Sequence, residues 1–77
     1  MKKPIKTNEL LNIVFQNPKK HIEAKLYLSP QLFATHLLYF SGKRLYDTGI
    51  DNENRIVSKK WFLTWYDNCW WVLDQIV

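Results

Sequence analysis

All four tryptophans of this 77-residue chain lie between Trp61 and Trp71, and Phe62 and Tyr66 lie in the same window. Each aromatic side chain needs roughly 150–250 Å² of surface buried. A chain this short buries only about 60–65% of its unfolded surface. Most rings of this window should therefore lie in the core, and one or two should stay outside. Trp70 and Trp71 are neighbours that must point apart, and we expect Trp71 to project.

The composition predicts one folded domain over residues 1–77, with residues 1–6 as a flexible basic arm. Apolar residues make up 47% of the chain and there are only two glycines, which excludes a disordered tail. No apolar run is long enough to span a membrane. The charged start is not followed by the apolar stretch of a signal peptide, and Cys69 has no cysteine to pair with. We expect a cytoplasmic protein.

The charge is unevenly distributed along the chain. The net charge is +4, and residues 1–28 carry six lysines against two glutamates. The remainder carries equal numbers of basic and acidic residues. This excess favours an anionic partner, either nucleic acid or a larger protein with an acidic surface. The alternative is that the lysines only keep an aromatic-rich protein soluble.

The first half of the chain contains one clear helix and one ambiguous segment. Apolar residues recur at helical spacing between residues 8 and 16, and Pro18 disfavours helical geometry in the residue before it. Within residues 18–28, the stretch from His21 to Leu28 alternates apolar and polar side chains, which is typical of a strand. Asn17-Pro18 is equally a helix start, so this segment is left open between helix and strand.

The second half is predicted as a helix, a hairpin and a C-terminal element. Ser29-Pro30 resembles a capped helix start and Gly42 a stop, which predicts a helix over 30–41. A polar cluster near residue 52 predicts a hairpin over 43–63. Residues 68–77 fit a strand or a short helix, and we favour the helix. The predicted fold class is α+β, in a small single domain.

Residues 20–42 add a more specific fold hypothesis. The order Ile22, Leu26-Tyr-Leu-Ser-Pro30 and Gly42 resembles the helix-turn-helix core of bacterial regulators of the winged-helix and AraC types. The resemblance implies a winged helix-turn-helix, in which 30–41 would be the recognition helix in the major groove. A recognition helix normally offers Arg, Lys, Asn or Gln to the DNA, yet no basic residue lies between Ser29 and Gly42.

The primary functional hypothesis is a small basic protein that contacts nucleic-acid phosphates through its basic side chains. Such contacts provide affinity without reading the sequence. Lys59 and Lys60 directly precede Trp61, and basic residues beside aromatic rings suit single-stranded nucleic acid. The candidate nucleic-acid-binding residues are Lys19, Lys20, Lys43, Arg44, Arg55, Lys59 and Lys60.

The alternative hypothesis is a protein-binding modulator or inhibitor. It would dock on a larger partner through the Trp61–Trp71 patch and helix 30–41, because tryptophan and tyrosine are common anchors of protein interfaces. A homodimer is also left open. The candidate protein-binding residues are Leu38, Tyr39, Trp65 and Trp71.

We expect no enzymatic activity, no metal and no cofactor. His21, His36 and Cys69 lack the paired short spacing of zinc ligands. The chain has no phosphate-binding glycine loop and no nucleophile motif. His36 is interpreted as a structural histidine. The sequence leaves open whether DNA, RNA or protein is bound.

Overall fold

The computed structural model describes residues 3–28, 31–49 and 51–77, and within them the chain forms one antiparallel sheet and two short helices. The sheet has six strands in the order β1-β6-β2-β3-β4-β5. In chain order the elements are β1 (Ile5–Lys6), α1 (Thr7–Gln16), β2 (Ile22–Leu28), β3 (Gln31–Ser41), β4 (Arg44–Thr48), β5 (Asn54–Val57), α2 (Lys59–Trp65) and β6 (Trp70–Ile76).

This architecture overturns the predicted fold class, because the domain is mostly antiparallel sheet and is not a winged helix-turn-helix. The predicted helix 30–41 is β3, the longest strand of the sheet. Apolar residues fall on both faces of this strand. Their spacing in the sequence therefore resembles the apolar stripe of a helix. Gly42 is not a helix stop. With Lys43 it forms the tight β3–β4 turn, where φ is 58° and 64° at the two residues, as a two-residue hairpin turn requires.

The structure confirms some of the other predicted elements and corrects others. The helix 8–16 is present as α1, and the segment left open, 18–28, contains strand β2 with its alternate residues buried. The hairpin 43–63 pairs as β4 and β5, but its last part is helix α2. The Oγ of Ser58 accepts a hydrogen bond from the backbone N–H of Trp61 at 3.0 Å, which is an N-cap.

Both ends of the chain also differ from expectation. The C-terminal element favoured as a helix is strand β6, because its backbone pairs with β2 along most of its length. Ile5 and Lys6, placed in a flexible arm, pair with β6 as β1. The helix-start signal at residues 29–30 lies outside the described residues. Neither helix among the described residues is long and apolar enough to cross a membrane.

The two helices cover one face of the sheet, and the core lies between these layers. Trp71 is fully buried there, so the expectation that it projects is wrong. Its ring stacks on Phe62 of α2 at 5.7 Å, and its neighbour Trp70 takes the outer face. The buried core residues are Leu10, Leu11, Val14, Ile22, Ala24, Leu26, Leu38, Leu45, Phe62, Cys69 and Trp71.

A buried threonine joins three elements of the fold. The Trp71 Nε1–H donates a hydrogen bond to Oγ1 of Thr7 at 2.8 Å. The Thr7 hydroxyl in turn donates to the backbone carbonyl of Tyr66 at 2.8 Å. The start of α1, the end of α2 and strand β6 are therefore held by one hydroxyl group.

We predict that Thr7→Val lowers the free energy of unfolding by about 1–3 kcal/mol, since it leaves the buried Trp71 Nε1–H without an acceptor. The Tyr66 carbonyl keeps the hydrogen bond that it accepts from the Cys69 N–H. Urea denaturation measures the change. Thr64→Val is the matched control, because the Thr64 hydroxyl bonds to Lys60 on the exposed surface of α2. Its effect should stay within about 0.5 kcal/mol. Equal effects of the two variants would contradict the role of Thr7.

Candidate nucleic-acid interface

Six basic residues lie at one end of the sheet, which we call the basic end. The antiparallel register places the start of β2, the end of β3, the start of β4 and the end of β5 side by side. The α1–β2 connection, the β3–β4 turn and the β5–α2 junction therefore meet there. The basic end consists of Lys19, Lys20, Lys43, Arg44, Lys59 and Lys60.

A shared groove shows that residues distant in the chain come together at this end. Lys43, Arg44 and Lys59 line one groove of about 330 Å³, with Phe15 and Phe40 among its other walls. The Nζ of Lys59 lies 5.6 Å from the centroid of the Phe15 ring. The groove thus combines cationic side chains with an aromatic floor.

The α1–β2 connection is held against this groove by backbone hydrogen bonds. The N–H of Lys19 donates to the carbonyl of Phe40 at 2.8 Å, and the N–H of Lys20 donates to the carbonyl of Asn17 at 3.1 Å. The side-chain amide of Asn17 donates to the carbonyl of Ile13 at 2.8 Å. These bonds fix the backbone from which both lysines project.

Arg55, the seventh predicted nucleic-acid-binding residue, lies apart from the basic end. Its guanidinium forms hydrogen bonds with Asp51 and, at 3.0 Å, with Glu53. The hydrogen bond with Arg55 is the main reason why the pKa of the Asp51 carboxyl lies below its usual value. The charge of Arg55 is therefore largely neutralised within the β4–β5 region.

The acidic residues are concentrated at the opposite end of the sheet. Asp51 and Glu53 lie in the β4–β5 loop, Asp67 follows α2, and Glu9 lies in the first turn of α1. Glu23, near the start of β2, and Asp74, near the end of β6, lie toward the basic end, because these two ends pair with each other. The domain is therefore electrically polar, with its cations and anions mostly at opposite ends.

The four predicted protein-binding residues do not form one surface. Leu38 and Trp71 are both fully buried in the core. Tyr39 is half-buried on the uncovered face of the sheet, stacked on Tyr46 at 4.6 Å. Trp65 is 67% exposed on α2. Of this set, only Trp65 offers a large exposed ring on the helical side.

Sequence reasoning missed a buried pair, His36 and Asp47, on β3 and β4. The Nδ1 of His36 lies 2.7 Å from Oδ1 of Asp47, and both residues are buried. They line a pocket of about 260 Å³ between the sheet and α2, which we call the His–Asp pocket. The period-two alternation of residues 34–38 would have placed His36 inward, had this segment been recognised as a strand.

Close packing holds the His36 ring in place inside the pocket. A Cβ atom added to Gly49 would lie 3.3 Å from Cε1 of His36, so the absence of a side chain at residue 49 makes room for the ring. Tyr66 and Trp71 meet the imidazole edge-to-face, at 5.4 and 5.2 Å between centroids. The ring is therefore oriented by Asp47 and clamped by its neighbours.

We predict that the pair is energetically coupled. His36→Leu leaves the buried Asp47 carboxylate without its partner and should cost about 3–5 kcal/mol of unfolding free energy. The double variant His36→Leu/Asp47→Leu removes both polar groups, so it should be no less stable than His36→Leu alone. Chemical denaturation of these two variants and of Asp47→Leu completes the cycle, and additive costs would show that the pair is not coupled.

Tyr66 gives the structure a second measurable signature. Burial, with a further contribution from the charge of Asp47, raises the pKa of the Tyr66 phenol to about 12. The folded state thus favours the neutral phenol. The stability that the folded state gains from this pKa difference is fully present below the unfolded pKa near 10. It is lost as the pH rises toward 12. In a tyrosinate absorbance titration, Tyr66→Phe should remove the step of highest pH. A titration that keeps this step would contradict the burial of Tyr66.

Comparison of the chain with protein-family models, with curated proteins and with solved structures found no match. In the part of the chain that the structure describes, no group of three or more His, Cys, Asp or Glu residues could hold a metal ion.

Proposed function

We propose that this protein is a non-enzymatic, cytoplasmic nucleic-acid-binding protein that contacts phosphates through the basic end. The observation that carries the proposal is that six basic residues from three connections meet at one end of the sheet. The acidic residues lie mostly at the other end. A cluster of cations that lies apart from the acidic residues attracts a polyanion more strongly than other ligands.

The cations of the basic end are available for a ligand. The ion pairs found among the described residues join Lys25 with Asp74, His36 with Asp47, and Arg55 with its two carboxylates. None of them uses a residue of the basic end. Each phosphate neutralised by such a cation releases a condensed counterion, which provides affinity that falls with salt.

The chemistry of these residues also predicts how selective binding would be. Five of the six are lysines, whose ammonium groups act as point charges and do not read base edges in a fixed geometry. Phosphate contacts position a protein on nucleic acid but do not specify sequence. We therefore expect binding that depends weakly on base sequence and strongly on ionic strength.

We predict that Lys43→Gln weakens binding of a labelled mixed-sequence strand, and that Lys6→Gln does not. Both substitutions remove one lysine charge, but Lys6 lies at the opposite end, with its Nζ 4.2 Å from the centroid of the Trp70 ring. Loss of one phosphate contact should reduce the slope of log affinity against log salt by roughly 0.7–0.9.

Fluorescence anisotropy between about 50 and 200 mM salt measures that slope. Equal losses in the two variants would show that binding is not localised at the basic end. Absence of binding by the unmodified protein at the lowest salt would overturn the proposed function itself.

One observation favours the alternative function, a modulator that docks on a larger protein. Trp61 and Trp65 stack on each other at 5.7 Å and are 43% and 67% exposed. Exposed aromatic rings are common anchors in protein interfaces. The surface would be this tryptophan pair, with the basic end facing an acidic region of the partner. Nucleic-acid binding at low salt distinguishes the two functions.

A further inference from the structure

We infer that the His–Asp pocket receives one unstacked base of a single-stranded nucleic acid whose phosphates lie on the basic end. This inference rests on the proposed function and names its substrate class. The volume of about 260 Å³ lies just below the roughly 300–1,000 Å³ of pockets for drug-sized ligands. It therefore suits a single planar group.

The wall of the pocket offers a surface for stacking. Trp61 and Trp65 are nearly parallel, with 7° between their planes, and both line the pocket. Phe62 and Tyr66 already pack against Trp71, so the core does not need the exposed tryptophan pair. Bases stack on aromatic side chains whatever their identity, because every base has a π face.

The floor of the pocket offers hydrogen bonding in addition to stacking. Asp47 engages Nδ1 of His36 at 2.7 Å, which leaves Nε2 as the ring nitrogen for a ligand. A base carries donors and acceptors along its edge, and such an edge can pair with an imidazole nitrogen. An aliphatic or purely apolar occupant would leave this buried polar group without a partner.

The pocket and the basic end approach each other at the start of α2. Lys60 immediately precedes Trp61 on α2. A strand with phosphates at the basic end thus has a base within reach of the pocket.

The binding mode predicts a preference for single strands. A base in a duplex is stacked and paired, and it can enter a protein pocket only after it has been taken out of the stack. Arg55 also lines the pocket, but Asp51 and Glu53 largely neutralise its charge. Phosphates are therefore attracted to the basic end more strongly than to the pocket.

The test compares a mixed-sequence single-stranded DNA with an abasic strand that has the same number of phosphates. Trp61→Ala should weaken binding of the base-containing strand by about 5- to 140-fold, the loss expected for one stacked base. It should leave the abasic strand unaffected. Lys43→Gln should weaken both strands equally, since it removes a phosphate contact.

Trp70→Ala is the matched control, because Trp70 is 41% exposed on the opposite face of the sheet. It should change neither affinity, and circular dichroism checks that every variant folds. Trp65→Ala, the more exposed ring of the pair, provides a second variant and should reproduce the loss seen with Trp61→Ala.

The outcomes separate the two proposals. If the unmodified protein binds neither strand, the proposed function fails and the base site fails with it. If it binds both strands equally and Trp61→Ala changes nothing, the base site alone is overturned. A loss confined to Trp70→Ala would place the base on the uncovered face of the sheet and would also overturn the inference.

Discussion

The burial of one indole ring holds the two layers of this protein together. Trp71 has no solvent exposure, and its ring contacts Phe62 at 5.7 Å and Tyr66 at 5.3 Å between centroids, both from the α2 region. Its N–H is satisfied by Thr7 at the start of α1. In a domain with so little interior, a single large side chain that touches both helical segments and the sheet determines how the layers pack.

The same burial explains why other tryptophans are exposed. Successive side chains of a strand point to opposite faces, so placing Trp71 inward leaves Trp70 on the uncovered face. On α2, Phe62 points to the core, while Trp61 and Trp65 are four residues apart and share the outer side. The exposed pair that forms the wall of the His–Asp pocket is therefore a consequence of how the core is filled.

The charge distribution depends on the register of the sheet. Lys19, Lys43 and Lys59 are far apart in the chain, and they meet because three connections lie at one end of adjacent antiparallel strands. The pairing of β3 with β4 likewise sets His36 near Asp47. In the proposed binding mode the basic end holds phosphates and the His–Asp pocket holds one base, so each part supplies an interaction that the other lacks.

Local sequence was enough to predict α1 and the pairing of β4 with β5, because these depend on short-range periodicity and turn residues. The expectation that only one or two rings of the Trp61–Trp71 window stay outside was wrong, since Trp61, Trp65 and Trp70 are all exposed. Local sequence also failed for β3, β6 and the orientation of Trp71. Residues 31–41 carry apolar side chains on both faces, so their pattern fits a helix as well as a strand. Only pairing with β2 and β4, distant in sequence, decides between them. The His–Asp pocket and the basic end arise from that same long-range pairing, which is why tertiary structure was required to assemble them.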